Sequence, residues 1–170
     1  ADVLNADAMV STFLINYGIN QDNQEYIESA KRGLKNIISQ QKDDGEFPYG
    51  SKIAQYPYKH HLDVPCIHYQ TVTLYYLDKC SDKIPDNELK NSIYNGIKWL
   101  QNNQKETGEF DWRKSGLNFA LYLTATYGFA VYLYSKYSPS TNKLLISNTV
   151  QILNNQYEKG LVSSKQRQKI

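Results

Sequence analysis

Apolar residues recur along this chain at the three-and-four spacing of α-helices, and no stretch alternates apolar and polar residues as a half-buried strand does. Six helical segments follow. The first spans about Asn5 to Tyr17 and is ended by Gly18; the second spans Asn23 to Gln41, with Leu34, Ile37 and Ile38 on one face. A long loop, 42–62, leads to a third helix over about Asp63 to Lys79. Pro85-Asp86 opens a fourth, which carries Ile97 and Leu100 on its buried face and runs to Gln104. A shorter loop, 105–115, precedes a fifth helix that ends at Tyr137. Ser138-Pro139-Ser140 begins a sixth, which runs to about Gln156. Paired in order, these elements make three tandem αα-hairpins in an all-α chain.

The pattern also repeats at long range. The stretch from Arg32 to Phe47 returns 63 residues later as Asn95 to Phe110, with glycine (33 and 96), glutamine (41 and 104), glycine (45 and 108) and phenylalanine at identical offsets. A weaker third copy runs from Asn148 through Ile152 and Gln156 to Gly160, with Val162 in the phenylalanine place. Each part of the motif has a physical use. The glutamine amide lies where a helix ends with unpaired carbonyls and can bridge to nearby backbone. The glycine suits a left-handed stop, and the aromatic after it can fold back over the helix end. Each copy reads as helix, stop, loop, next helix, which divides a single domain 1–170 into repeats of about 1–50, 51–114 and 115–165.

A glycine, an aromatic and aliphatic pair, a glutamine, a glycine and an aromatic at these spacings resemble the QW repeat of squalene and terpene cyclases. The second copy matches with Gly96, Trp99, Leu100, Gln104, Gly108 and Phe110; the first has Asn36 where an aromatic belongs. Similar repeats occur in protein prenyltransferases, polysaccharide lyases and uronyl epimerases. The resemblance implies an α/α-toroid-like arc in which helices one, three and five form the inner ring and the motif loops form one mouth of a cavity. Three hairpins are about half the number in a closed cyclase toroid, so the arc is a small toroid, a self-associating unit, or part of a larger ring. The Asp-x-Asp-Asp acid motif of the cyclases does not occur in the chain.

Composition narrows the partners. A formal net charge of +2 gives no field for nucleic acid, and no run of 18 apolar residues spans a membrane. Cys66 and Cys80 read as two free thiols. No signal peptide is visible, and the chain begins at Ala1, which fits a processed secreted protein or a piece of a longer one. Fifteen tyrosines are the unusual entry, and an apolar ring with a hydroxyl suits both helix packing and sugar-like ligands.

The two motif loops hold the candidate chemistry. The first supplies Glu46, Tyr49, Tyr58, Lys59, His61 and Asp63, with His68 and Tyr69 in the first turns of the third helix. The second supplies Asp111, Trp112 and Arg113, followed by Asn118 and Tyr122 on the fifth helix. Removing the C5 proton of a uronate needs a base and a neutralised carboxylate. Tyr49, Tyr58, His61 and His68 are the candidate bases and Arg113 the carboxylate partner, with the remaining residues as ligand contacts. Each has a plainer reading. His60 and His61 are adjacent and point apart on an extended segment, so they make no metal pair; His68 falls at helical spacing with Thr71 and Tyr75, as a core histidine does; Glu46 and Glu109 share one repeat position, as a structural residue does. No cofactor is implied, although Asp43, Asp44 and Glu46 could hold a hard cation such as calcium. Three functions compete: a protein that acts on or binds an acidic polysaccharide, an isoprenoid-type enzyme or fragment, and a non-catalytic helical-repeat module that binds its own copy or another protein.

Overall fold

The computed structural model describes residues 3–51, 65–112, 123–137 and 143–158, apart from the side chains of residues 123, 124 and 156–158. Among them six helices stand in chain order: α1 (Leu4–Asn20), α2 (Gln24–Ile38), α3 (Ile67–Ser81), α4 (Asn87–Asn102), α5 (Leu123–Tyr137) and α6 (Lys143–Glu158). The described residues hold no strand, only isolated bridges between Val3 and Gly50 and between Gln104 and Phe110.

Local chemistry explains where α2 and α4 start. The Asn23 side chain accepts from the Glu25 amide at 3.0 Å, and Asp86 accepts from Glu88 at 2.8 Å and Leu89 at 3.1 Å, so each takes up amides that the first turn leaves unpaired. Both α2 and α4 confine their apolar residues to one face, whereas those of α1, α3 and α5 are spread around the helix. Helices packed from several sides need the second pattern. Accordingly α1 packs on α2, α3 on α4 and α5 on α6, while α3 also lies against both α1 and α5. Leu4, Ile37, Leu74, Ile93, Leu100 and Tyr134 are among the fully buried side chains of the continuous core.

Helices two and four stop earlier than the periodicity predicts, at Ile38 and Asn102. Gln41 and Gln104 instead donate their backbone amides three residues back, to Ile38 and Gln101 at 3.1 Å each. That places each glutamine just past its helix, free to turn onto the loop. The Gln41 amide donates to the carbonyls of Gly45 at 3.0 Å and Ser92 at 2.9 Å, and the Ser92 hydroxyl returns a bond to Gln41 Oε1 at 2.8 Å. Gln104 donates to the Gly108 carbonyl at 2.5 Å and to Thr149 Oγ1 at 3.0 Å, and accepts from the Tyr134 hydroxyl at 2.8 Å. Each glutamine therefore ties its own loop to the second helix of the next hairpin. Gly45 (φ 96°) and Gly108 (φ 86°) take the left-handed conformation that the motif predicts, and each also lies against that neighbouring helix, at Asn95 and Asn148 respectively.

Two expectations change. Gly18 does not end α1, which continues to Asn20; it lies inside the α1–α2 contact, where a Cβ would meet Ile27 Cγ1 at 2.8 Å. The chain turns instead at Asp22, a non-glycine residue at φ 49°. Helix α3 begins at Ile67, after an extended Cys66 at φ −138°, and not at Asp63.

Candidate functional site

The two motif loops arrive at the N-terminal ends of α3 and α5, held in equivalent ways. In the first, Lys42 N donates to Glu46 O at 2.8 Å and Gly45 N to Lys42 O at 2.9 Å; in the second, Lys105 N donates to Glu109 O at 2.8 Å and Gly108 N to Lys105 O at 2.9 Å. The phenylalanine amides then reach α3 and α5. Phe47 N donates to Gln70 Oε1 on α3 at 2.7 Å, and Phe110 N donates to the Tyr127 hydroxyl on α5 at 3.2 Å. Buried Gln70 also donates to the Gly45 carbonyl at 3.0 Å.

Six of the candidates drawn from the sequence fall on described residues. Tyr49 stacks on Tyr69 with ring centroids 4.5 Å apart and 19° between planes, and both rings are half-buried. The His68 ring centroid lies 5.3 Å from that of Tyr69. Its Nδ1 is 2.8 Å from the hydroxyl of fully buried Thr126 on α5. Half-buried Trp112 packs edge-on against Phe110 at 5.7 Å and Tyr127 at 6.3 Å. Tyr49, His68 and Tyr69 thus form one group and Trp112 belongs to another, and the adjacent Thr126 and Tyr127 join them. Asp111 is fixed through its backbone, which donates to the Asn103 carbonyl at 2.9 Å. Glu46 is buried and pairs with Lys42 at 3.0 Å; Glu109 pairs with Lys105 at 3.7 Å in the same relation. The shared repeat position therefore has a shared structural use. Tyr58, Lys59, His61, Asp63, Arg113, Asn118 and Tyr122 lie outside the described residues, as does His60.

Electrostatics set what these groups can do. Burial pushes His68 down to about 4, so the ring is neutral near pH 7 and holds hydrogen bonds better than it takes a proton. Burial also pushes the Tyr127 phenol up. Among the described residues no three His, Cys, Asp or Glu side chains are placed to share a metal ion. Asp44 Oδ1 instead accepts from Glu46 N at 3.0 Å.

Sequence reasoning passed over Thr126, Gln70 and Tyr127, the partners that hold the site. It also passed over a second polar cluster at the opposite ends of α3 and α5. There, fully buried Asp78 accepts from the hydroxyls of Tyr132 at 2.7 Å and Tyr137 at 2.6 Å, and pairs with Lys136 at 2.8 Å. Lys79 donates to the Tyr132 hydroxyl at 2.6 Å. A carboxylate within the apolar run of α3 and tyrosines five residues apart on α5 were the available signals. An open cleft of about 260 Å³, lined by residues including Lys31, Leu34, Ile38, Ile84 and Asp86, lies between α2 and the start of α4. Both cysteines are buried and form no disulfide, and no described helix is long and apolar enough to cross a membrane.

No protein-family model, characterised protein or solved structure matches this chain.

Proposed function

We propose that this chain is an α/α-toroid-like carbohydrate protein that acts on or binds an acidic polysaccharide at the motif-loop end of its inner helices. The observation that carries the reading is the parallel Tyr49–Tyr69 stack beside His68. Paired, half-buried tyrosine rings offer a rigid flat surface to the C–H face of a pyranose, and their hydroxyls and a neutral imidazole offer hydrogen bonds to its alcohols. Trp112 adds a second aromatic surface, against Tyr127 of α5. Lys59 and Arg113 are the cations that the loops supply for a uronate carboxylate. Turnover at C5 would draw its base from Tyr49, Tyr58, His61 or His68, burial making the neutral His68 ring the weaker base. An isoprenoid-processing role is the weaker reading, because the chain lacks the acid motif that such chemistry uses.

Thermal unfolding against a panel of oligosaccharides tests the proposal. A ligand at about a hundred times its dissociation constant adds roughly 2.7 kcal/mol of stability. Uronic-acid oligomers should raise the midpoint, their neutral counterparts should raise it less, and Tyr69→Ala should abolish the difference. A midpoint that no saccharide moves would rule the reading out.

The exposed apolar face of α1 favours a second reading, an interaction module, and that face lies apart from the tyrosine stack.

A further inference from the structure

Helix α1 presents Met9, Val10, Phe13 and Tyr17 to solvent, Phe13 with 63% of its surface exposed. The rings of Phe13 and Tyr17 stack at 5.7 Å, and Tyr26 of α2 meets Tyr17 edge-on at 5.2 Å, so the patch is an ordered aromatic row that crosses both helices. A surface of this kind on a helical hairpin marks an interface.

The repeat indicates what covers it. The first two hairpins correspond position by position 63 residues apart: Leu4 and Ile67 both open their first helix, and Gly33 packs on Ser11 as Gly96 packs on Leu74. On that register Phe13 and Tyr17 correspond to Tyr76 and Cys80 of α3. Those two residues receive the preceding hairpin, because the Thr12 hydroxyl meets the Tyr76 carbonyl at 3.1 Å and Cys80 Sγ at 3.2 Å. The outer helices agree. Ser29 corresponds to Ser92, which takes Gln41 of the preceding loop, but Ser29 accepts from Arg32 of its own helix at 2.8 Å. The α1–α2 edge therefore has the form of an acceptor for one more hairpin. At the other end of the chain, α5 carries Gly128 and Ser135 exposed and seven residues apart on one face, and a Cβ at Gly128 would meet nothing within 4 Å. That shallow strip fits large side chains such as Phe13 and Tyr17. Leu144 and Val150 add exposed apolar surface on neighbouring α6.

We propose that the α1–α2 edge of one copy docks the α5–α6 edge of a second copy head to tail, repeating between chains the contact that successive hairpins make within one. Such a contact is heterologous and closes into a ring or continues as a filament according to its rotation.

Light-scattering mass across a concentration series, with two edge variants, tests this. The wild-type chain should exceed the 19.6 kDa of one copy. Phe13→Glu and Gly128→Glu should each stay at the one-copy mass with unchanged helical circular dichroism. An equimolar mixture should reach the mass of two copies, since each variant keeps the edge that the other has lost. If Gly128→Glu unfolds, Ser135→Glu on the same exposed face replaces it. A wild-type chain at the one-copy mass at every concentration overturns the proposal. So does association that the α5 variant leaves intact, or a mixture that stays at one copy.

Discussion

His68 and Thr126 join the N-terminal parts of α3 and α5 through a 2.8 Å contact between Nδ1 and Oγ1, both residues being buried. The contact links α3 to α5 within one turn of Gln70 and Tyr127, the residues that the motif-loop phenylalanines reach, so Tyr69 beside His68 rests on a fixed base. Burial pushes the His68 ring down to about 4, so it is neutral wherever the protein is assayed near neutrality.

Stability should depend on that neutrality. The folded value lies below the ordinary 6.5, so between those values the unfolded chain binds the proton more readily than the folded one. Stability is therefore full above pH 6.5, falls as pH drops toward 4, and loses nothing further to this group below that. At pH 5 the loss amounts to about 2 kcal/mol. Urea unfolding at pH 7 and pH 5 should show a larger difference for wild type than for His68→Gln.

Gln41→Ala should destabilise the protein by about 2 kcal/mol, because it strips partners from the Ser92 hydroxyl and from two carbonyls in a partly buried junction. Gln104→Ala should cost a similar amount, since it leaves the buried Tyr134 hydroxyl without its acceptor. Chemical denaturation midpoints with unchanged slopes would establish both.

Gly45→Ala should be worse than an ordinary loop substitution. The backbone conformation at φ 96° alone costs an alanine about 1–2 kcal/mol, and the new methyl group would run into the Asn95 carbonyl of α4. Gly108→Ala, at φ 86° with its nearest atoms at 2.8 Å, should follow the same direction to a smaller degree. Thermal midpoints of the two variants, compared side by side, decide the order.

Asp78→Ala should cost about 3–5 kcal/mol, because the carboxylate is the common acceptor for Tyr132, Tyr137 and Lys136 in a fully buried place. Tyr137→Phe removes one bond of the set and should cost about 1 kcal/mol. If equilibrium unfolding shows the two variants equally mild, the network is not what holds the far ends of α3 and α5 together.

Six helices, their order and the two strong motif copies were legible in the sequence, because apolar spacing and the Gln41 and Gln104 motifs are local signals. Asp86 could be read as a helix start for the same reason. The end of α1 could not. Gly18 looks like a stop, and only the proximity of Ile27 reveals a close-approach glycine. Less of the candidate site was legible. The structure places Tyr49, His68 and Tyr69 in one group and Trp112 in another, and the polar residues packed with them, Thr126, Gln70 and Tyr127, have partners 17 to 58 residues away in the chain, which no local pattern shows. Asp78 and its tyrosines escaped for the same reason, and they give several of the fifteen tyrosines a purely structural use.

Calorimetric titration of uronic-acid oligomers into the wild-type chain and Tyr69→Ala tests the proposed saccharide platform at the Tyr49–Tyr69 pair. Saturable heat for wild type, with affinity at least tenfold weaker in Tyr69→Ala at unchanged helical content, is the predicted result. No saturable heat for wild type, or equal affinity in the variant, contradicts the account.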